Sequence, residues 1–182
     1  MLSDALKPRW IAAGEETAAQ RDPLGLAPIP EDKRRRFLQF RLAEESKILL
    51  PLHEVVEVLQ LETSEILPVP EMPSWILGVC NWRGEVLWLT DLNTLVGNLP
   101  LCQQDPTLEQ LIAVIVQSEG CSVGLVVNQV DDVEQFDPEH IHQQEGLYSA
   151  GLAAIVAGYL PDHKGIVLDV SATVERSRQK PP

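Results

Sequence analysis

The sequence predicts an all-β protein, organised as one barrel or as a pair of barrels. Two observations lead to this prediction: apolar and polar residues alternate along several segments of strand length, and short polar turns separate those segments. The chain has 182 residues, which suits one domain or two small subdomains that share a core. Because aromatic residues make up only 5% of the chain, aliphatic side chains must fill most of the interior.

The predicted domain boundaries follow a change in composition near residue 36. Residues 1–35 are interpreted as a flexible N-terminal arm, since residues 1–32 are rich in alanine, proline and charge and show little periodicity. Trp10 and Ile11 are the candidates for anchoring this arm to the body or to a partner. Residues 36–176 are predicted to form the folded body, and residues 177–182 a short tail.

The first half of the body begins with a predicted β-hairpin, two strands around the polar turn Ala43–Lys47. The segment 53–61 is open to a short helical turn or a strand, and its β-branched residues favour a strand in the later part. Three prolines within residues 68–73 break any strand there, and Ser74 is a candidate cap for a short helix over residues 75–80. The alternating segment 84–97 then predicts another strand.

The second half repeats this texture without a strict sequence repeat. Residues 111–130 predict two strands around a Ser-Glu-Gly turn, followed by a further strand and a turn at Asp137–Pro138. Residues 154–170 predict a last hairpin, and Ser171 is a plausible cap for a final helical turn. Both halves end alike, with an apolar strand and then Asp91 or Asp169, whose carboxylates can accept the free amides of a following turn.

Charge and cysteine content exclude several classes of protein. The net charge is −13, and residues 1–36 balance seven basic against six acidic side chains, so the acidic excess falls on the rest and disfavours nucleic-acid binding. The basic run Lys33–Arg36 is interpreted as a solvated linker or strand edge. Three isolated cysteines fit reduced, buried thiols in the cytoplasm. The sequence lacks a signal-peptide pattern and any apolar run of about 20 residues, so no membrane insertion is expected.

Catalytic and metal-binding patterns are weak. His140 and His142 form an H-x-H pair that His163 could extend, but zinc needs three or four ligands and no C-x-x-C or H-E-x-x-H spacing is present. No G-x-S-x-G or phosphate-binding pattern occurs, and Cys80 and Cys121 lie in apolar segments where thiols are usually inert. The sequence therefore predicts no enzyme and no cofactor.

Binding is the remaining interpretation, and it centres on the stretch GVCNWRGEVLWLTDL. Arg83 is the only lysine or arginine between Lys47 and Lys164, and three tryptophans lie around it. Trp and Arg often anchor protein interfaces, whereas the alternative is that Arg83 forms an internal ion pair with Glu85 or Asp91. Alternation along the strand predicts core positions for the two leucines that flank a partly exposed tryptophan: Leu87, Leu89 and Trp88.

From about residue 36 to residue 174 the sequence resembles the CheW-like chemotaxis coupling family. The segments that carry the resemblance are ordered along the chain: FLQFRLAEESKILLPLHEVVEVL, ILPVPEMPSWILGVCNWRGEVLWLTDLNTLVG, VGLVVNQVDDVEQFDPEHI and GIVLDV. Trp82 stands where the family usually has leucine, and Leu87–Leu89 reads LWL where the family has a proline-centred run. With these tryptophans the sequence resembles the PilI-like branch of the family, which is linked to type IV pilus motility and phototaxis.

The resemblance implies two SH3-like five-stranded β-barrel subdomains with a groove between them, together with short helices. It implies a non-catalytic cytoplasmic adaptor at membrane-associated receptor arrays. Its partners would be the helical tip of a methyl-accepting chemoreceptor and the regulatory domain of a CheA-type histidine kinase. Positions that match the family's receptor-contact sites are Val55, Glu57, Gly78, Arg83, Val130 and Val133. Kinase-contact residues are not assigned, and the hairpin at Ala43–Lys47 is one candidate.

Two alternatives remain open at this stage. One is a regulator that binds another partner through the same barrels, with the N-terminal arm as its specificity element. The other is a small metal-dependent hydrolase that uses His140, His142 and His163. Stoichiometric zinc in the purified protein would favour the second.

Overall fold

The computed structural model describes residues 32–42, 46–105, 107–143, 148–161 and 165–179. Nearly all of the predicted arm, the tip of the first hairpin and the tip of the last hairpin lie outside these ranges. The described residues contain ten strands and four short α-helices. The strands are β1 Arg35–Leu42, β2 Ser46–Pro51, β3 Val55–Glu62, β4 Ile76–Trp82, β5 Glu85–Asp91, β6 Gln110–Ser118, β7 Cys121–Val127, β8 Gln129–Phe136, β9 Val156–Leu160 and β10 Gly165–Leu168; the helices are α1 Leu92–Leu95, α2 Leu101–Gln104, α3 Ala150–Ala153 and α4 Val170–Arg178.

The strands form two five-stranded sheets with the same pattern of pairing. Sheet A has the order β8-β1-β2-β10-β9, and sheet B has the order β3-β6-β7-β5-β4. In each sheet the third and fourth strands run parallel and every other neighbouring pair is antiparallel. Each sheet therefore combines a hairpin from one half of the chain with three strands from the other half. This exchange joins the two halves of the body into one compact unit.

Each sheet curls into a closed barrel. The segment that follows one edge strand, β3 in sheet B and β8 in sheet A, pairs with the opposite edge strand, β4 or β9. In sheet B, Leu67 exchanges two backbone hydrogen bonds with Val79 of β4, at 2.8 and 2.9 Å. In sheet A, His142 exchanges two with Tyr159 of β9, at 2.9 and 2.8 Å. A short 3₁₀ turn precedes the closing residue in both cases. The result is two barrels of the SH3-like form that the family resemblance implies, which confirms the prediction of an all-β fold.

The largest apolar cluster lies between the two sheets. Alternate residues of β1 and β2, including Phe40 and Ile48, meet alternate residues of β6 and β7, including Val114 and Leu125. The opposite faces of the same strands line the interiors of the two barrels. Successive side chains of each strand therefore point alternately to the cluster between the sheets and to the interior of their own barrel. Leu87 and Leu89 fill the interior of sheet B, and their predicted burial is confirmed.

The two aspartates at the ends of the halves cap helices, as predicted. Asp91 accepts hydrogen bonds from the amides of Asn93 and Thr94 at the start of α1. Asp169 accepts one from the amide of Ala172 in α4, at 2.9 Å. The prediction of Ser171 as the cap is wrong, because this residue already lies inside α4 and the carboxylate two positions earlier occupies the cap.

Two other sequence predictions need correction. The segment after Ser74 is strand β4 and not a helix, because pairing with β5 on one edge and with Leu67 on the other fixes an extended backbone. The thiols are also not uniformly buried: Cys80 is buried, Cys121 is half-buried and Cys102 is exposed. None of the helices in the described ranges is long and apolar enough to span a bilayer.

Candidate interaction site

The turn between β4 and β5 places Arg83 at the rim of the barrel of sheet B. Trp82 pairs with Glu85, so Arg83 and Gly84 form a two-residue hairpin turn, with φ values of 54° and 85°. Positive φ at both positions matches the twist of the flanking strands. The side-chain oxygen of Asn81 supports the turn by accepting a hydrogen bond from the Gly84 amide, at 3.0 Å. The hairpin turn at Glu119 and Gly120 has the same conformation, so the positive φ of Arg83 is a property of this type of turn.

The carboxylate of Glu57 on β3 fixes the end of this turn. Arg83 Nη2 lies 2.8 Å from Glu57 Oε2, and the indole Nε1 of Trp82 donates to the same oxygen at 2.9 Å. The guanidinium also lies over the Trp82 ring, 5.0 Å from its centroid. The proposed internal partners Glu85 and Asp91 are therefore wrong, since the observed partner is Glu57.

The ion pair leaves most of the arginine available to solvent. The Arg83 side chain is 64% exposed, whereas that of Glu57 is 32% exposed. Because β3 and β4 are the two ends of sheet B, these side chains join the strands on the side where the barrel closes. The Arg83 guanidinium is thus held in one place while part of it still faces solvent. Such a group can donate hydrogen bonds to a carboxylate on a partner protein.

The valines of the predicted site occupy equivalent places in the two barrels. Val55 is the first paired residue of β3 and Val130 the second of β8, and each lies beside a bulge in its strand. Both pack against the apolar cluster between the sheets. Val133 is 41% exposed, and its counterpart Val58 in sheet B is 43% exposed. The sites on the two barrels are thus related by the internal repeat.

Gly78 has a structural reason to be glycine. Its φ is +145°, and a Cβ atom there would clash with the carbonyl group of Leu67, which closes the barrel. Gly78 is the third residue of β4, one residue before Val79, which pairs with Leu67, and the same strand leads to the turn that holds Arg83. The geometry therefore connects Gly78 to the shape of the barrel edge.

Sequence reasoning missed one contact and two residues beside the site. The missed contact is the hydrogen bond from Trp82 to Glu57, and the missed residues are Val56 and Val58, which expose apolar side chains on β3. The alternation of HEVVEVLQL contains the signal for the valines, because Val56, Val58 and Gln60 share one face of a strand. The hydrogen bond from Trp82 has no local signal, since its acceptor is 25 residues away.

The histidines of the metal-site alternative lie in a different region. His140 ends the 3₁₀ turn after β8, and His142 pairs through its backbone with Tyr159. In the parts of the chain that the structure describes, no three His, Cys, Asp or Glu side chains come together as a metal site. His163 lies outside the described residues.

The fold defines a class, a pair of SH3-like barrels, and in this chain the barrels present an exposed arginine and a set of valines. Comparison with known proteins gives the family. The model of the CheW-like domain matches residues 36–178, so this chain belongs to the CheW-like domain family.

Individual relatives agree with this assignment. The chain is 35% identical over 66 residues to the chemotaxis protein CheW of Rhizobium meliloti, covering 36% of this chain and 40% of that protein. It is 34% identical over 94 residues to a probable chemotaxis protein CheW of Rhizobium etli, covering 48% and 58%. The match thus spans about half the length of these curated relatives.

A solved structure supports the fold. The crystal structure of the scaffolding protein TtCheW from Thermoanaerobacter tengcongensis superposes with a TM-score of 0.61 at 24% identity, covering 74% of this chain and 86% of that one.

Proposed function

We propose that this protein is a non-catalytic signalling adaptor that couples a methyl-accepting chemoreceptor to a CheA-type histidine kinase. The family and the names of its relatives support a role in chemotaxis. The adaptor would act in the cytoplasm at receptor arrays. It would hold receptor and kinase in a fixed geometry, so that a change in receptor conformation reaches the kinase without a switch in the adaptor itself.

The observation that carries the proposal is the position of Arg83. It is the only lysine or arginine between Lys47 and Lys164, and it is held by Glu57 and Trp82 with most of its side chain exposed. The helical tip of the receptor would offer a carboxylate to this guanidinium and aliphatic side chains to the valines at positions 55, 130 and 133. Loss of a charged contact that becomes buried on binding costs on the order of 2–5 kcal/mol.

The acidic body contributes to the choice of partner. A net charge of −13 repels other anionic surfaces, so an acidic receptor tip would bind only where a cation and apolar surface coincide. Trp82 and Trp88 set this chain apart from the pattern that the resemblance describes, and we associate them with the PilI-like branch of type IV pilus motility or phototaxis. The kinase would use a separate surface, whose residues we do not assign.

A pull-down from native lysate tests the proposal. The wild-type chain, Arg83→Ala and the charge-preserving control Arg83→Lys are compared, and bound proteins are identified by mass spectrometry. We expect the wild type to recover a coiled-coil receptor and a histidine kinase, Arg83→Ala to lose the receptor and keep the kinase, and Arg83→Lys to retain part of the receptor. Recovery of neither protein by the wild type would refute the adaptor function.

A further inference from the structure

A groove on the outer face of sheet B is separate from the proposed receptor site. It lies between β5, the proline-rich loop before β4 and the C-terminal end of α4, and its volume is about 640 Å³. Its walls are mostly apolar, with Met72, Pro73, Ile76 and Trp88 among them. Trp88 is 38% exposed and Met72 40% exposed. A mostly apolar hollow of this volume with few polar groups is typical of small-molecule sites.

The floor of the groove contains a polar group without a partner. Thr90 lines the groove although it exposes no surface to bulk solvent, and its hydroxyl has no hydrogen-bond partner. Buried hydroxyls are normally satisfied, so an unpaired one on a residue that lines an apolar hollow is an available hydrogen-bond donor for a molecule in the groove. The hydroxyl proton can rotate toward an acceptor that enters the groove.

The internal repeat shows that this face is built differently in the two barrels. The positions of sheet A that correspond to Trp88 and Thr90 are Ile166 and Leu168, as their strand pairings establish. Both are buried aliphatic residues in the cluster between the sheets. In sheet A these positions are therefore covered by the apolar cluster between the sheets, whereas in sheet B they leave a partly exposed ring and an unpaired hydroxyl.

The charged residues of the groove balance each other. Glu71 lies on the loop wall and Arg178 on the α4 wall, so the lining carries no net charge. Among the described residues, Arg178 makes no ion pair, and its guanidinium donates to the sulfur of Cys121 at 3.3 Å. A ligand with a large net charge would gain from one of the two charged walls and be repelled by the other, so the balanced lining favours an uncharged ligand.

We propose that this groove binds a small, uncharged and largely apolar molecule with a flat ring and a carbonyl or other acceptor group. The ring stacks on Trp88 among the apolar walls, and the acceptor receives the hydroxyl of Thr90. None of the groove residues belongs to the proposed receptor site. Failure of this proposal therefore leaves the adaptor function untouched, and the reverse also holds.

The test uses the full chain and the uncharged dye Nile red, a flat aromatic molecule with one carbonyl. Its fluorescence is titrated with wild type, Thr90→Val, Trp88→Ala and the control Val86→Ala, which changes an exposed residue of β5 that does not line the groove. We expect Thr90→Val to weaken binding about three- to tenfold, the effect of one hydrogen bond. Trp88→Ala should weaken it at least about tenfold, and Val86→Ala less than about twofold.

Two further measurements separate a ligand role from a structural one. Thr90→Val should keep or raise the Tm, because it removes a hydroxyl that has no partner. A clear fall in Tm would show that the hydroxyl stabilises the fold, and the proposal would be wrong. The anionic dye 8-anilinonaphthalene-1-sulfonate should bind more weakly than Nile red. Tighter binding of the anion, equal Nile red affinity in all variants, or no Nile red binding by the wild type would each overturn the proposal.

Discussion

Gly78 and Gly158 hold the same place in the two barrels. Each lies one residue before the point where the last strand of its sheet pairs with the closing segment, and each faces that segment without a side chain. A Cβ atom on Gly78 would meet the carbonyl group of Leu67, with its carbon at 2.8 Å, and one on Gly158 would meet the carbonyl oxygen of His142 at 2.9 Å. The close approach of two backbones requires glycine at both places.

Gly78→Ala is expected to lower the free energy of unfolding by about 2–4 kcal/mol, from left-handed strain and from damage to the two hydrogen bonds that close the barrel. Gly84→Ala is the matched control, since its φ is also positive but nothing lies within 4 Å of the added carbon. It should cost about 1 kcal/mol. Urea unfolding of both variants checks this. Equal losses would show that the backbone contact at Gly78 does not matter.

Most of the fold could be predicted from the sequence because alternation is a local signal. It located the hairpins and the buried leucines of β5, and the position of Asp91 and Asp169 identified two caps. Strand β4 was missed because ILGVCNW does not alternate and follows three prolines, so only its pairing with Leu67 and β5 makes it a strand. The internal repeat was hidden since few side chains match at equivalent positions.

The site was predictable only in part, for a similar reason. Arg83 stood out by its isolation in an acidic chain, which is a property of the sequence. Its partner Glu57 lies 26 residues away and is brought close by the curling of sheet B, which no local pattern encodes. The groove beside Trp88 also depends on α4, which comes from the other end of the body.

The ion pair between Glu57 and Arg83 is expected to add little to stability. An exposed pair contributes at most about 1 kcal/mol, so a double-mutant cycle with Glu57→Gln and Arg83→Ala should give a coupling of that order in urea unfolding. Receptor binding should respond differently: Arg83→Ala should weaken it strongly, whereas Glu57→Gln should keep most of it because the guanidinium remains. A coupling above about 3 kcal/mol would mark the pair as part of the fold instead.

Asp91 and Asp169 cap equivalent helices in different surroundings, and this difference predicts unequal effects of substitution. Asp91 is fully buried and accepts four hydrogen bonds, from the amides of Asn93, Thr94 and Leu101 and the hydroxyl of Thr94. Asp91→Asn should lower stability by about 2–4 kcal/mol, because an amide replaces one acceptor oxygen with a donor.

Asp169→Asn is the control for this substitution. Its carboxylate accepts one hydrogen bond at an exposed position, and asparagine caps helices about as well as aspartate. Its stability should therefore change by less than about 0.5 kcal/mol. Thermal unfolding of the two variants provides the comparison. A similar small effect for both would show that the additional hydrogen bonds of Asp91 contribute little to stability.

The three thiols should react at very different rates with a thiol reagent such as Ellman's reagent. Cys102 is exposed and should react first, while Cys80 is buried inside the barrel of sheet B. Burial, and secondarily the nearby charge of Glu65, raises the pKa of Cys80 above its usual value, so less thiolate forms in the folded protein. Cys102→Ser should remove the fast phase, and Cys80 should react only on unfolding. Fast labelling of Cys80 in native protein would contradict its burial.

The raised pKa of Cys80 also predicts a loss of stability in alkaline solution. The unfolded thiol ionises near its ordinary pKa of 9.0 while the folded one remains protonated. The stabilising contribution is therefore fully present below pH 9 and is lost as pH rises through the folded pKa. Burial raises the pKa of Tyr148 as well, so both groups contribute to this decline. In Cys80→Ala the free energy of unfolding should start lower, because of the cavity, but fall less steeply above pH 9 than in the wild type. Urea unfolding at a series of pH values measures both slopes, and equal slopes would show that Cys80 does not titrate differently in the two states.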